Sequence, residues 1–336
     1  YLGAYLNRSC FNEQATLTLH CLSKHVEQLL PLVREVLTDA VFPEEELRLY
    51  KQNMKQRLNV NLRKCDFVAG RLIDTYLFGE AHPYGKYSSA EAYDALQRDQ
   101  LVSFYDRYYR NGQFALFVAG KIPAGLIGTL NQLFGDLPNS AQTPPPHLAK
   151  QAIQKKYRIE NDASGIQGAI RIARPFPNRH HADFIPALVL NTVFGGFFGS
   201  RLMSNIREDK GYTYGVHSYI LNLQQTSAWM ISTEAGKDVC EATIAEVYSE
   251  MEQLRTTLIS EEELSLVRNY MMGGLLGDLD GPFQLIGRWK NLILNELPPA
   301  HFYKTIDTIR NCSAEQLREL ARQYLQPAEF YELVVI

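Results

Sequence analysis

The chain has 336 residues, is 46% hydrophobic and 21% charged, and carries a net charge of −3. This is ordinary globular composition, and the length suffices for two domains with cores of their own. The near-neutral, intermixed charge argues against a nucleic-acid partner, and no apolar run reaches the length of a membrane span.

In chain order, residues 3–22 hold two strand-like runs, the second alternating through Thr16, Leu17, Thr18 and Leu19. Apolar spacing predicts a helix from His25 to Leu37. A second helix follows Pro43 with Glu44-Glu45-Glu46 in its first turn, where acidic side chains suit the helix dipole, and runs to about Leu62. Phe78-Gly79 and His82-Pro83-Tyr84-Gly85 read as a loop, Leu101 to Tyr109 as a helix, and Phe114 to Gly120 as a buried strand. Residues 139–156, with Pro144, Pro145 and Pro146, read as a linker between an N-terminal domain (1–138) and a C-terminal domain (157–336).

Beyond it the pattern gives a strand (Gly168–Arg174), a helix (His181–Phe194), and a glycine-rich bend containing Gly195, Gly196 and Gly199. A short helix leads through Arg207 to a turn at Gly211 and a strand holding Tyr212, Tyr214 and Tyr219. A further strand (Thr226–Glu234), helices over 237–254, 261–275 and 283–294, a helix capped by Ser313 and Gln316, and a strand from Tyr331 to Ile336 complete the chain. The five cysteines, Cys10, Cys21, Cys65, Cys240 and Cys312, are scattered and form no C-x-x-C. Free thiols are expected, with a Cys10–Cys21 cross-strand pair as the alternative. Unpaired thiols favour the cytoplasm. The periplasm stays open, because the chain opens mid-pattern at Tyr1 and is expected to lack its start.

An internal repeat is visible. Glu44-Glu45-Glu46-Leu47 recurs as Glu261-Glu262-Glu263-Leu264, and Leu101, Tyr108 and Val118 recur as Leu317, Tyr324 and Val334 at nearly the same offset. Mixed strands and helices without strict alternation point to α+β, in two copies of one fold. The stretch from Phe194 to Tyr219 is the candidate site. A guanidinium at Arg207 and a phenol at Tyr214 can both donate hydrogen bonds to a peptide carbonyl or to the oxyanion formed on its attack. Packing alone is the competing account of a Gly-Gly bend.

This stretch resembles the C-terminal-domain signature of the M16 (pitrilysin/insulinase-like) metallopeptidases, of the M16B type. There a glycine-rich bend leads to S-R-L and then to R-E-x-x-G-x-x-Y, matched here by Ser200-Arg201-Leu202 and Arg207-Glu208…Gly211…Tyr214. Gly3-Ala4-Tyr5-Leu6-Asn7, with Glu13, and Phe78-Gly79…His82-Pro83-Tyr84-Gly85 resemble the family's N-terminal elements. The resemblance implies two repeated α+β domains, each a sheet covered by helices, in a clam-like arrangement around a groove. It also implies that Arg207 and Tyr214 bind substrate.

The family's zinc site needs H-x-x-E-H upstream of G-A-x-x-N and a downstream Glu. Neither H-x-x-E-H nor H-E-x-x-H occurs in this sequence. Counted from G-A-x-x-N, the downstream ligand falls at Arg57, and a second commonly acidic position at Tyr50. A guanidinium does not ligate zinc. The chain is therefore expected to bind no metal, and to act as the non-catalytic subunit beside a zinc-bearing M16-like partner or in a homodimer, with a peptide as substrate. Two alternatives remain. One is an active zinc endopeptidase whose H-x-x-E-H precedes Tyr1. The other is a purely structural or peptide-holding member. Asp278-Leu279-Asp280 reads as a solvated turn and His82 as structural.

Overall fold

The structure, a computed structural model, describes residues 2–140 and 147–336. The chain forms two compact units. One comprises Tyr1–Asn59, Ser88–His147 and Gly281–Gly287, the other Val60–Tyr87, Leu148–Asp280 and Arg288–Ile336.

The first unit opens with an antiparallel hairpin of β1 (Tyr5–Cys10) and β2 (Ala15–His20), Tyr5 lying opposite His20. α1 (Val26–Thr38) and α2 (Glu44–Asn61) follow. The chain then enters the second unit for α3 (Cys65–Phe78) and rejoins the first for α4 (Ala90–Ala95), α5 (Arg98–Tyr105) and α6 (Leu126–Phe134). The first unit's core is small: Leu30 of α1 packs with Leu126, Leu130 and Phe134 of α6. A bidentate pair of Arg34 with Asp136, at 2.7 and 2.8 Å, fastens the two helices.

The expected strand from Phe114 to Gly120 is not formed. Among the described residues its backbone has no ladder partner, and Leu116 and Val118 are exposed. An apolar alternation becomes a strand only when a neighbour pairs its backbone groups.

The second unit is built on a five-stranded sheet. Its strands are β3 (Lys156–Ile159), β4 (Gln167–Phe176), β5 (Val216–Ile220), β6 (Ser227–Gly236) and β7 (Tyr331–Val335), in the order β3-β7-β4-β6-β5. β3 and β7 are parallel; the other pairs are antiparallel. Two-residue alternation sends Ile170, Ile172, Trp229, Ile231 and Val334 to one face, where they form the main core. That core is closed by α7 (Phe184–Asn191), α8 (Cys240–Thr256), α9 (Glu261–Gly277), α11 (Ala300–Asn311) and α12 (Ala314–Tyr324), with α10 (Pro282–Leu294) between α9 and α11 in the chain. The opposite face carries Ala169, Ala173, Ala228, Met230, Leu333 and Val335, on which α3 packs through Ala69, Ile73, Leu77 and Phe78. Small side chains on the strands let the helix approach closely.

Residues 65–78 form a helix that the sequence pattern leaves unassigned, because the run is apolar on most sides and interrupted by Gly70. Of the expected linker, Pro144, Pro145 and Pro146 lie outside the described residues. Its later part is hydrogen-bonded to α3, with Lys150 N donating to Phe78 O (3.0 Å) and Ala152 N to Tyr76 O (2.9 Å). All five cysteines are free, so the Cys10–Cys21 alternative is not adopted. Among the described residues no helix is long and apolar enough to cross a membrane.

Candidate functional site

The glycine-rich stretch joins α7 to β5. α7 widens into a π-type turn over Thr192–Gly196, the chain bends through 197–200, and a second wide turn, Met203–Asp209, carries Arg207. Gly195 leaves helical geometry (φ −158°, ψ 15°), which any residue could adopt. What excludes a side chain there is contact: a Cβ would stand 2.7 Å from Ser218 Cβ and 2.9 Å from both Ser218 N and Leu202 Cδ1. At Gly211 the reason is conformational, since φ is +65° with open space around it.

Hydrogen bonds tie the bend to the sheet. Asn191 Nδ2 donates to Ser218 O (2.9 Å), Ser218 Oγ to Asn191 Oδ1 (2.7 Å), and Trp229 Nε1 to Ser218 Oγ (2.8 Å), all buried.

A charged cluster anchors the second turn from beneath. Arg201 makes a bidentate pair with Glu263 (2.7 and 2.8 Å), Lys210 pairs with Glu246 (3.2 Å), and Asn205 Nδ2 donates to Glu250 (2.7 Å). Burial pushes the Glu250 carboxyl up, and the bond from Asn205 pulls it back in part. Arg201, Asn205, Lys210 and Glu250 of this cluster line a shallow cavity of about 420 Å³, and the pairing around it makes it a support for the turn.

On this platform Arg207 points outward. Its Nη1 donates to Glu208 Oε1 at 2.9 Å, and its guanidinium carbon lies 4.6 Å from the ring centroid of Phe198. Tyr214 precedes β5; it is not on the strand, and neither is Tyr212, which packs against the main core. Tyr214 is 90% exposed, and its hydroxyl has no hydrogen-bond partner among the described residues. Thr213 immediately before it is fixed: its Oγ1 donates to Glu234 O at 2.6 Å. The segment thus holds the backbone of Tyr214 and releases its phenol.

The profile of the peptidase M16 inactive domain matches residues 95–271, more than half of the chain, including every residue of this platform.

The chain belongs to the peptidase M16 inactive-domain family.

It is 23% identical to an uncharacterized zinc protease, YmxG, of Bacillus subtilis, over all of this chain and 81% of the relative. It is 21% identical to a protein named non-peptidase homolog YmxG of Helicobacter pylori, over 63% of this chain and 49% of that one. Its fold matches the crystal structure of a peptidase M16 inactive domain from Pseudomonas fluorescens with a TM-score of 0.85, at 20% identity, covering 99% of this chain and 81% of the other.

Relatives named zinc proteases raise the question of whether this M16 chain's own residues suit zinc. Among the described residues no three His, Cys, Asp or Glu side chains gather where they could hold a metal ion. Arg57 and Tyr50, at the positions the family resemblance assigns to acidic residues, lie exposed on α2. A guanidinium offers a cation no lone pair and repels it, and a neutral phenol is a poor zinc ligand. The donor set does not fit zinc.

Two features escaped the sequence reading. Phe198 belongs to no motif, although an aromatic pair bracketed by Gly196 and Gly199 is a signal that one ring is turned outward. A buried charged group on the α3 face of the sheet was missed altogether. Arg171 of β4 pairs with Asp66 of α3, and Asp74 of α3 lies close enough to feel its charge. No local pattern joins residues so far apart in the chain.

Proposed function

We propose that this chain is a non-catalytic M16 peptidase-like subunit that binds peptide and works beside a zinc-bearing M16-type partner. The observation that carries this is the exposed pair on a rigid platform, Arg207 held over Phe198 and Tyr214 with its phenol free, combined with a cation at the expected ligand position. Arg207 donates to a substrate carbonyl. Tyr214 donates to the oxyanion that develops when the scissile carbonyl is attacked. The metal and the general base belong to the partner.

The test is reconstitution with a zinc-bearing M16 subunit and a quenched-fluorescence peptide. Removing one oxyanion donor from such a site typically costs about 10²- to 10³-fold in rate. Tyr214→Phe is therefore expected to lower kcat by roughly that factor while the two chains still co-elute. Turnover equal to wild type removes the role given to Tyr214.

The name non-peptidase homolog carried by the Helicobacter pylori relative favours a second reading, a subunit that holds peptide without any turnover. Saturable peptide binding, with no cleavage in the presence of any zinc-bearing M16 chain, supports that reading over the first. About one zinc per chain after dialysis against trace zinc would overturn both.

A further inference from the structure

Phe197 and Phe198 are neighbours in the bend and turn in opposite directions. Phe197 turns inward and stacks on Tyr270 of α9, with ring centroids 4.7 Å apart and planes inclined by 29°. Gly199 permits this, since a Cβ there would stand 2.8 Å from the Phe197 ring. Phe198 turns outward, 64% exposed, beneath the Arg207 guanidinium. Tyr270 and Leu266, one helical turn apart on α9, continue the exposed apolar surface from the Phe197 side.

We infer that Phe198, backed by the Phe197–Tyr270 stack, is a selectivity shelf for an aromatic or large aliphatic side chain of an extended peptide whose adjacent main-chain carbonyl is held by Arg207. The inference rests on the peptide-binding reading above. A guanidinium lying over a ring directs its N–H groups outward in its own plane. Among the described residues only Nη1 of Arg207 is engaged, with Glu208, so further N–H donors remain for a carbonyl approaching edge-on. A side chain one residue from that carbonyl lies within reach of the uncovered part of the Phe198 ring.

The occupant is a peptide because the site joins a hydrogen-bond donor to an apolar ring where neighbouring carboxylates offset the donor's charge. Glu208 and Asp209 flank Arg207 and disfavour an acidic side chain or an anionic lipid surface, whereas a peptide carbonyl is a neutral acceptor.

The test uses three fluorescein-labelled decapeptides with Gly/Ser flanks, differing only in a central Phe, Ser or Asp. Each is titrated by anisotropy into the full chain and into Phe198→Ala and Arg207→Ala. The Phe peptide is expected to bind about tenfold tighter than the Ser peptide, and the Asp peptide weakest. Phe198→Ala removes the tenfold preference, weakening the Phe peptide far more than the Ser peptide. Arg207→Ala weakens all three alike. If Phe and Ser peptides bind equally to the wild type, or Phe198→Ala weakens both equally, the shelf is wrong and the peptide-binding reading stands. If no peptide binds the wild type, both fall. If sedimentation shows instead a self-association that Phe198→Ala abolishes, the ring is a contact with a second copy and the inference is overturned.

Discussion

Replacing Asp74 by asparagine is expected to stabilise the second unit modestly at pH 5 and by about 2.5 kcal/mol more at pH 8. Asp74 lies on α3 against the sheet, where burial pushes its carboxyl up from 3.8 to about 7. Arg171 pulls it down, but that guanidinium is already committed to Asp66. Tyr219 of β5, which also feels Arg171, Asp74 and Asp66, is itself raised by burial, so it stays neutral through this range.

The folded state therefore binds a proton at Asp74 that the unfolded state has lost between about pH 4 and 7, and stability falls as pH rises through 7. Each unit of pH between 5 and 7 is worth about 1.4 kcal/mol. The wild type should thus lose about 2.5 kcal/mol between pH 5 and 8 relative to Asp74→Asn, whose amide mimics the protonated acid. Urea unfolding followed by the fluorescence of Trp229, fully buried in the same unit, reads this directly. Taking the difference between wild type and variant at each pH cancels the other titrating groups. A difference that is the same at pH 5 and pH 8 would show that Asp74 titrates normally and that the burial argument fails.

Two further substitutions probe glycines that the fold uses in different ways. Gly195→Ala places a methyl against Ser218 and Leu202 and is expected to cost about 1–3 kcal/mol, read as a lower urea midpoint; an unchanged midpoint would mean that the bend can open without loss. Gly273→Ala in the interior of α9 meets nothing within 4 Å and should instead stabilise by roughly 0.5–1 kcal/mol through reduced freedom of the unfolded chain, so a drop in Tm would show that the position serves an unseen contact.

Much of the second unit could be read from local chemistry. Ser260 accepts from Glu263 N, and Ser313 with Gln316 forms the reciprocal cap that their spacing implies. The alternation of β4 and β6 sorts their side chains onto two faces as a two-residue period requires. The bend between Phe194 and Ser200 is legible because three closely spaced glycines signal close backbone approach, and the S-R-L and R-E-x-x-G-x-x-Y elements carry the family's signature in the sequence itself.

Other features lie beyond that range. Phe114 to Gly120 has the composition of a strand, yet it has no partner among the described residues, and a ladder is a property of two segments. The run 65–78 has helical composition, but nothing local could show that it would lie on a sheet formed by residues 156–335, or that Asp74 would meet Arg171 there. Phe197 and Phe198 are the same residue side by side, and Tyr270 of α9, stacked on one of them, decides which ring is half-buried and which is left to solvent. Caps, periods and turns are energies between residues within about four positions, so the sequence by itself determines them. Which strand has a neighbour, which carboxyl loses its water and which ring stays exposed depend on segments that meet only when the chain has closed its long loops, and the tertiary structure alone decides those.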